Sequence, residues 1–98
     1  MAAIVYILFS ASKGTFYTGF TTVTLEERLN RHNSKYYHNK YTARANDWEL
    51  YFSIECLSEI QARLIESHIK RMKSTKYIQN LKQYPEMAQA LLLKYSSI

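Results

Sequence analysis

The spacing of apolar residues changes character along the chain, and each change marks an element. IVYILF, from Ile4, is apolar at almost every position and rich in β-branched and aromatic side chains, the pattern of a strand covered on both faces. SASKG follows as turn chemistry, with Gly14 placed late, where a left-handed residue closes a hairpin. TFYTGF is the returning strand. Alternation sets Ile4, Tyr6 and Leu8 on one face of the first strand, and Thr15, Tyr17 and Gly19 on one face of the second. From Thr24 the period becomes helical. Leu25 and Leu29 lie one turn apart, Arg28 and His32 share another face, and Thr24 with Glu27 forms a capping-box signature. Asn33 can end this helix. SKYYHNKYTARAND has no period and reads as a loop with room for a turn of helix. WELYFSIEC then alternates Trp48, Leu50, Phe52 and Ile54 against Glu49, Tyr51, Ser53 and Glu55, the third strand.

The rest is helical. Ser58 and Gln61 form a second capping box, opening a long helix with an apolar stripe of Ala62, Ile65, Ile69 and Met72. Ser74 caps a shorter helix that turns Tyr77, Ile78 and Leu81 inward. Pro85 suits the first position of a last helix, with Met87, Leu91, Leu92 and Tyr95 inward. The predicted order is β-β-α-β-α-α-α. A sheet apolar on both faces needs cover on both, so an α/β sandwich with helices on either side is expected. No repeat, low-complexity tract or linker interrupts the 98 residues, and a single domain is the expectation.

Composition narrows the function. An apolar fraction of 47% suits a folded chain and excludes a disordered one. No apolar run approaches a membrane span, and MAAIVYILFS lacks the basic start of a signal peptide, so neither membrane insertion nor export is expected. The lone Cys56 cannot form an internal disulfide; it reads as a small buried hydrophobe in a reduced, cytoplasmic setting. The net charge of +5 favours polyanionic partners.

Five blocks in order carry more specific information: VYIL, YTGFT, RLNRHN, YTARANDWELY and ARLIESHIK. Together they resemble the GIY-YIG nuclease superfamily, above all its small single-domain bacterial members. The resemblance covers about residues 4–82; a helix over about 85–96 lies outside it. It departs from the pattern in three places. IVYI keeps only Tyr6 of the Gly-Ile-Tyr motif, Thr18 replaces the isoleucine of Tyr-Ile-Gly, and Asp47 stands where small members often carry proline. Thr18 points to the opposite face from Tyr17, so its effect is expected on packing rather than chemistry.

The resemblance implies a three-stranded antiparallel sheet between helices and metal-dependent hydrolysis of phosphodiester bonds in DNA. It maps the motif tyrosines onto Tyr6 and Tyr17, the motif glycine onto Gly19, the helix arginine onto Arg28 and the metal-binding glutamate onto Glu66. His32 and Asn33 match a common continuation of the arginine motif. The chemistry suits the residue types. Glu66 can hold one Mg²⁺ or Mn²⁺, with waters completing its shell. Arg28 offers a permanently charged fork for phosphate oxygens. Tyr6 is the implied general base; an ordinary phenol has a pKa of about 10, so it needs its surroundings or a relay through His32. Tyr17 would orient water or phosphate, and Gly19 would leave room for the substrate backbone or for helix packing.

Each residue also has a plainer role when read alone. Tyr6 and Tyr17 make an aromatic cross-strand pair, worth about 0.2–1 kcal/mol. Glu66 between Arg63 and Lys70 makes a solvated ion-pair face. His32 makes a favourable charge at a helix end. Around the site, the basic, tyrosine-rich loop from Lys35 either grips a branched or single-stranded DNA through Lys40 and Arg44 or packs its tyrosines on the edge of the domain. Lys70, Arg71, Lys73 and Lys76 either line a phosphate track or keep their helix soluble. A non-catalytic nucleic-acid-binding module on the same fold, and an interaction domain that dimerises through the last helix, are the competing functions. The oligomeric state, monomer or homodimer, stays open.

Overall fold

The computed structural model describes residues 3–33 and 45–96. Its elements run β1 (Ala3–Ser10), β2 (Thr15–Thr21), α1 (Leu25–Asn33), β3 (Trp48–Cys56), α2 (Glu59–Met72), α3 (Thr75–Gln83) and α4 (Pro85–Lys94). This is the predicted order. The strands form one antiparallel sheet in the order β2-β1-β3, so β1 is central and β2 lies at an edge. The hairpin closes as its turn chemistry requires: Gly14 has φ +62° and donates to the Ser10 carbonyl at 2.7 Å.

Alternation along β1 divides the protein into two layers. Val5 and Ile7 face α2, α3 and α4, where Ile54, Cys56, Ala62, Ile65, Ile69, Leu81 and Leu91 complete the main core. Tyr6 and Leu8 face the other way, toward Leu25 and Leu29 of α1, with Tyr17, Ala45 and Trp48 beside them. Cys56 is buried in the main core, and burial pushes its thiol up.

The third strand departs from strict alternation. Ile7 pairs with Phe52, but Leu8 pairs with Leu50, so a bulge takes up Tyr51. The extra residue flips the face of everything before it. Phe52 and Ile54 join the main core as expected, whereas Trp48 belongs to the α1 layer and Leu50 is 44% exposed.

The helix starts are largely those expected. The hydroxyls of Thr24, Ser58 and Ser74 accept from the amides of Glu27, Gln61 and Tyr77. The return half of the second capping box moves one residue upstream: Gln61 Oε1 accepts from the Leu57 amide at 2.6 Å. Its Nε2 donates to the Leu92 carbonyl at 3.1 Å, which ties α2 to α4. Two details of the apolar stripes differ. Met72 is exposed, because α2 ends beside it with Lys73 in the left-handed conformation at φ 48°. In α4 the small Ala88 is buried alongside Leu91. A side chain in the left-handed conformation costs ~1 kcal/mol relative to glycine, so Lys73 holds a strained position.

Candidate active site

The hairpin register sets the site. Tyr6 lies opposite Gly19 and Leu8 opposite Tyr17, so the two tyrosines are diagonal neighbours on the α1 face. Their ring centroids are 6.4 Å apart. Gly19 is glycine because of Tyr6. A β-carbon there would lie 2.7 Å from the Tyr6 hydroxyl and 3.1 Å from the Tyr17 ring. The gap expected to receive substrate or a helix is therefore filled by the phenol of the facing strand.

His32 completes the cluster from α1. Its Nε2 is 2.9 Å from the Tyr6 hydroxyl, and its ring is 5.1 Å from that of Tyr17. Burial, and then the Arg28 guanidinium beside it, pushes the imidazole down from 6.5 to about 4. A histidine that is neutral at pH 7 and 3% exposed is not a charged helix cap. Arg28, one turn before it, donates through Nε to the Thr21 hydroxyl at 3.1 Å. Thr21 continues the alternation of Tyr17 and Gly19, which is the sequence signal for its place on this face. Tyr6 and Arg28 also border a mostly apolar cavity of about 250 Å³, walled by Leu25, Leu29 and Leu50.

Asn33 and Asp47 act on the backbone around this cluster. The Asn33 amide donates to the Trp48 carbonyl at 2.9 Å and accepts from the Trp48 amide at 2.6 Å. That pairing clasps the end of α1 to the start of β3 and sets the Trp48 ring edge-on to Tyr17, 6.4 Å between centroids. Asp47, at the position of the expected proline, closes the hairpin turn instead. Its carboxylate accepts from the Ser10 hydroxyl at 2.6 Å and from the amide and hydroxyl of Ser12. These bonds hold its carboxyl below the usual range.

Glu66 approaches from α2. It pairs with Lys70 at 3.2 Å, and the same ammonium lies 5.8 Å from the Tyr17 ring centroid. Arg63 pairs with Glu59 rather than with Glu66. Lys70 is thus the link between the Glu66 carboxylate and the tyrosine cluster. Among the described residues, no three His, Cys, Asp or Glu side chains are grouped to share an ion. Lys40 and Arg44 lie outside the described residues.

A hairpin carrying two tyrosines and a glycine, with an arginine and a histidine on the next helix, is an α/β arrangement in the order the sequence blocks lead one to expect. Residues 2–80 match the GIY-YIG catalytic domain, and the chain belongs to that family. It is also similar to a UPF0213 protein of Syntrophus aciditrophicus (strain SB), 40% identical over 84 residues that cover 84% of this chain and 92% of the relative. No solved structure matches it. The matched family span ends within α3, before α4. No described helix is long and apolar enough to cross a membrane.

Proposed function

We propose that the protein is an endonuclease that nicks DNA or cleaves it in a structure-selective way, with one divalent ion. The observation that carries this reading is the bond from the Tyr6 hydroxyl to a histidine kept neutral beside an arginine. A neutral imidazole has one bare nitrogen. Where that nitrogen is Nε2, it accepts a hydrogen bond from the phenol and fixes the Tyr6 oxygen toward the attacking water. A ring held near 4 is too weak a base to take the phenol proton beforehand, so that proton moves along the bond only as the water's proton arrives on Tyr6. Tyr17, against both rings, orients the water or the phosphate. Arg28, aligned by Thr21, binds the phosphate oxygens as negative charge develops. Asn33 acts through Trp48, holding the wall behind Tyr17. Lys70, with Lys40 and Arg44, supplies positive charge for the DNA backbone.

Glu66 fits the ion. It offers hard carboxylate oxygens, and an ion bound there would displace the Lys70 ammonium that now lies 3.2 Å away, with waters completing its shell. Mg²⁺ or Mn²⁺ held there would stabilise charge on the scissile phosphate and the leaving oxygen. The reaction is expected in the cytoplasm, with no membrane involved.

A cleavage screen tests this reading. Purified protein with Mg²⁺ or Mn²⁺ is expected to cut at least one of duplex, single-stranded, flapped or junction DNA. Glu66→Ala and Arg28→Ala are expected to abolish the cutting with the fold intact; full activity in Glu66→Ala would remove Glu66 from the site. The burial of Tyr6, 2% exposed, favours one rival, a non-catalytic DNA-binding module. Salt-sensitive binding without cleavage of any substrate would establish that rival.

A further inference from the structure

On the face of the sheet opposite the tyrosine cluster, β2 and the turn between α2 and α3 enclose a cleft of about 210 Å³. Thr18 lines it from the strand. Lys70, Lys73, Ser74 and Thr75 line it from the helices, and none of its lining residues carries a carboxylate. It therefore gathers hydrogen-bond donors and the charge of Lys73, while the Lys70 ammonium is shared with Glu66, which is not in the lining.

Thr18 is 7% exposed, and its hydroxyl makes no hydrogen bond among the described residues. The oxygen is not sealed in the core, since no buried side-chain polar atom there lacks a partner. It is open to solvent, and the cleft is the cavity that the residue lines. Such a hydroxyl can exchange water for a ligand oxygen, and it stands where the Tyr-Ile-Gly pattern has isoleucine. At the start of α3, Ser74 accepts from the Tyr77 and Ile78 amides through its hydroxyl and carbonyl. The preceding amides, of Thr75 and Lys76, have no intrahelical acceptor and carry the positive end of the helix dipole. Lys73 makes no ion pair among the described residues and keeps its ammonium in a backbone conformation that suits glycine.

We propose that this cleft is an oxyanion site for a phosphate group. The Thr18 hydroxyl and the Thr75 and Lys76 amides donate to the phosphate oxygens, and Lys73 and Lys70 balance the charge. A free phosphate and a polynucleotide backbone share this chemistry. Lys70 also reaches Glu66 and Tyr17, so a strand held at the tyrosine face would carry a neighbouring phosphate past the β2 edge into the cleft. The polynucleotide source rests on the nuclease reading; the oxyanion site does not.

The test follows the Thr75 and Lys76 amides by NMR in the full chain without divalent metal. Inorganic phosphate and a short single-stranded oligonucleotide are added separately. At least one is expected to shift both amides to saturation. Thr18→Val, which keeps the side-chain shape, and Lys73→Gly are each expected to weaken that binding about fivefold or more. Lys73→Gly is also expected to keep or raise the melting temperature, which separates lost binding from lost folding. Tighter saturation by the oligonucleotide identifies the backbone as the source, and saturation by phosphate alone identifies a free phosphate; both uphold the site. Silent amides with both probes, or undiminished binding in both variants, overturn it. A protein that cuts DNA while these amides stay silent keeps the nuclease reading and loses the oxyanion site, and the reverse result does the opposite.

Discussion

The Tyr6 hydroxyl and His32 Nε2 meet at 2.9 Å, both residues almost fully buried between sheet and helix. Removing the hydroxyl in Tyr6→Phe leaves that nitrogen without its partner, at a cost of about 1–3 kcal/mol. DNA cleavage is expected to fall by about 10²–10⁴-fold, the usual contribution of a positioned acid or base. Single-turnover rates and urea unfolding, measured side by side, check both values. Cleavage at the wild-type rate would remove Tyr6 from the reaction.

The displaced pKa of His32 predicts a pH-dependent stability. The unfolded chain takes up a proton near 6.5, the folded one only near 4. Between these values the unfolded state binds more protons, so stability is complete above about pH 6.5 and falls as the pH drops toward 4. The loss approaches ~3 kcal/mol for this group. His68 is also held down, by burial and then by Lys94 and Arg71, and adds to the same slope. Urea midpoints across the window should therefore flatten in His32→Asn without becoming level.

Gly19→Ala tests the contact that dictates the glycine. The new methyl would strike the Tyr6 hydroxyl, which is held by His32 and cannot swing to solvent. A loss of about 1–3 kcal/mol is expected, with cleavage reduced as the phenol moves. A wild-type melting temperature together with wild-type activity would mean that the hairpin has room to relax.

Asn33→Ala removes both bonds to the Trp48 main chain. About 2–4 kcal/mol of stability should go, since a buried strand end loses two partners at once. Trp48 is the single tryptophan, so its fluorescence reports the site directly. A red-shifted emission in the folded variant is the expected sign that the indole has left the Tyr17 wall.

Much of this arrangement was legible because it rests on period. Alternation groups Tyr6 with Leu8 on one strand and Tyr17 with Gly19 on the next, the hairpin register brings the two sets onto one face, and a single helical turn joins Arg28 to His32. The bulge at Tyr51 is hidden, because Trp48, Leu50, Phe52 and Ile54 alternate without a break in the sequence even though the bulge sends the first two and the last two to opposite faces of the sheet. The polar pairings were hidden for another reason. Asp47 with Ser12, Asn33 with Trp48 and Gln61 with Leu92 join residues 35, 15 and 31 positions apart, and no local spacing records such partners. In the sequence Asp47 stands out only as a missing proline, and Gln61 only as half of a cap.

The clasp between Asn33 and Trp48 also couples two elements in unfolding. It joins the end of α1 to the start of β3 across 15 positions, so the helix cannot leave the sheet without releasing the first residue of the strand, and the two are expected to open as one cooperative unit.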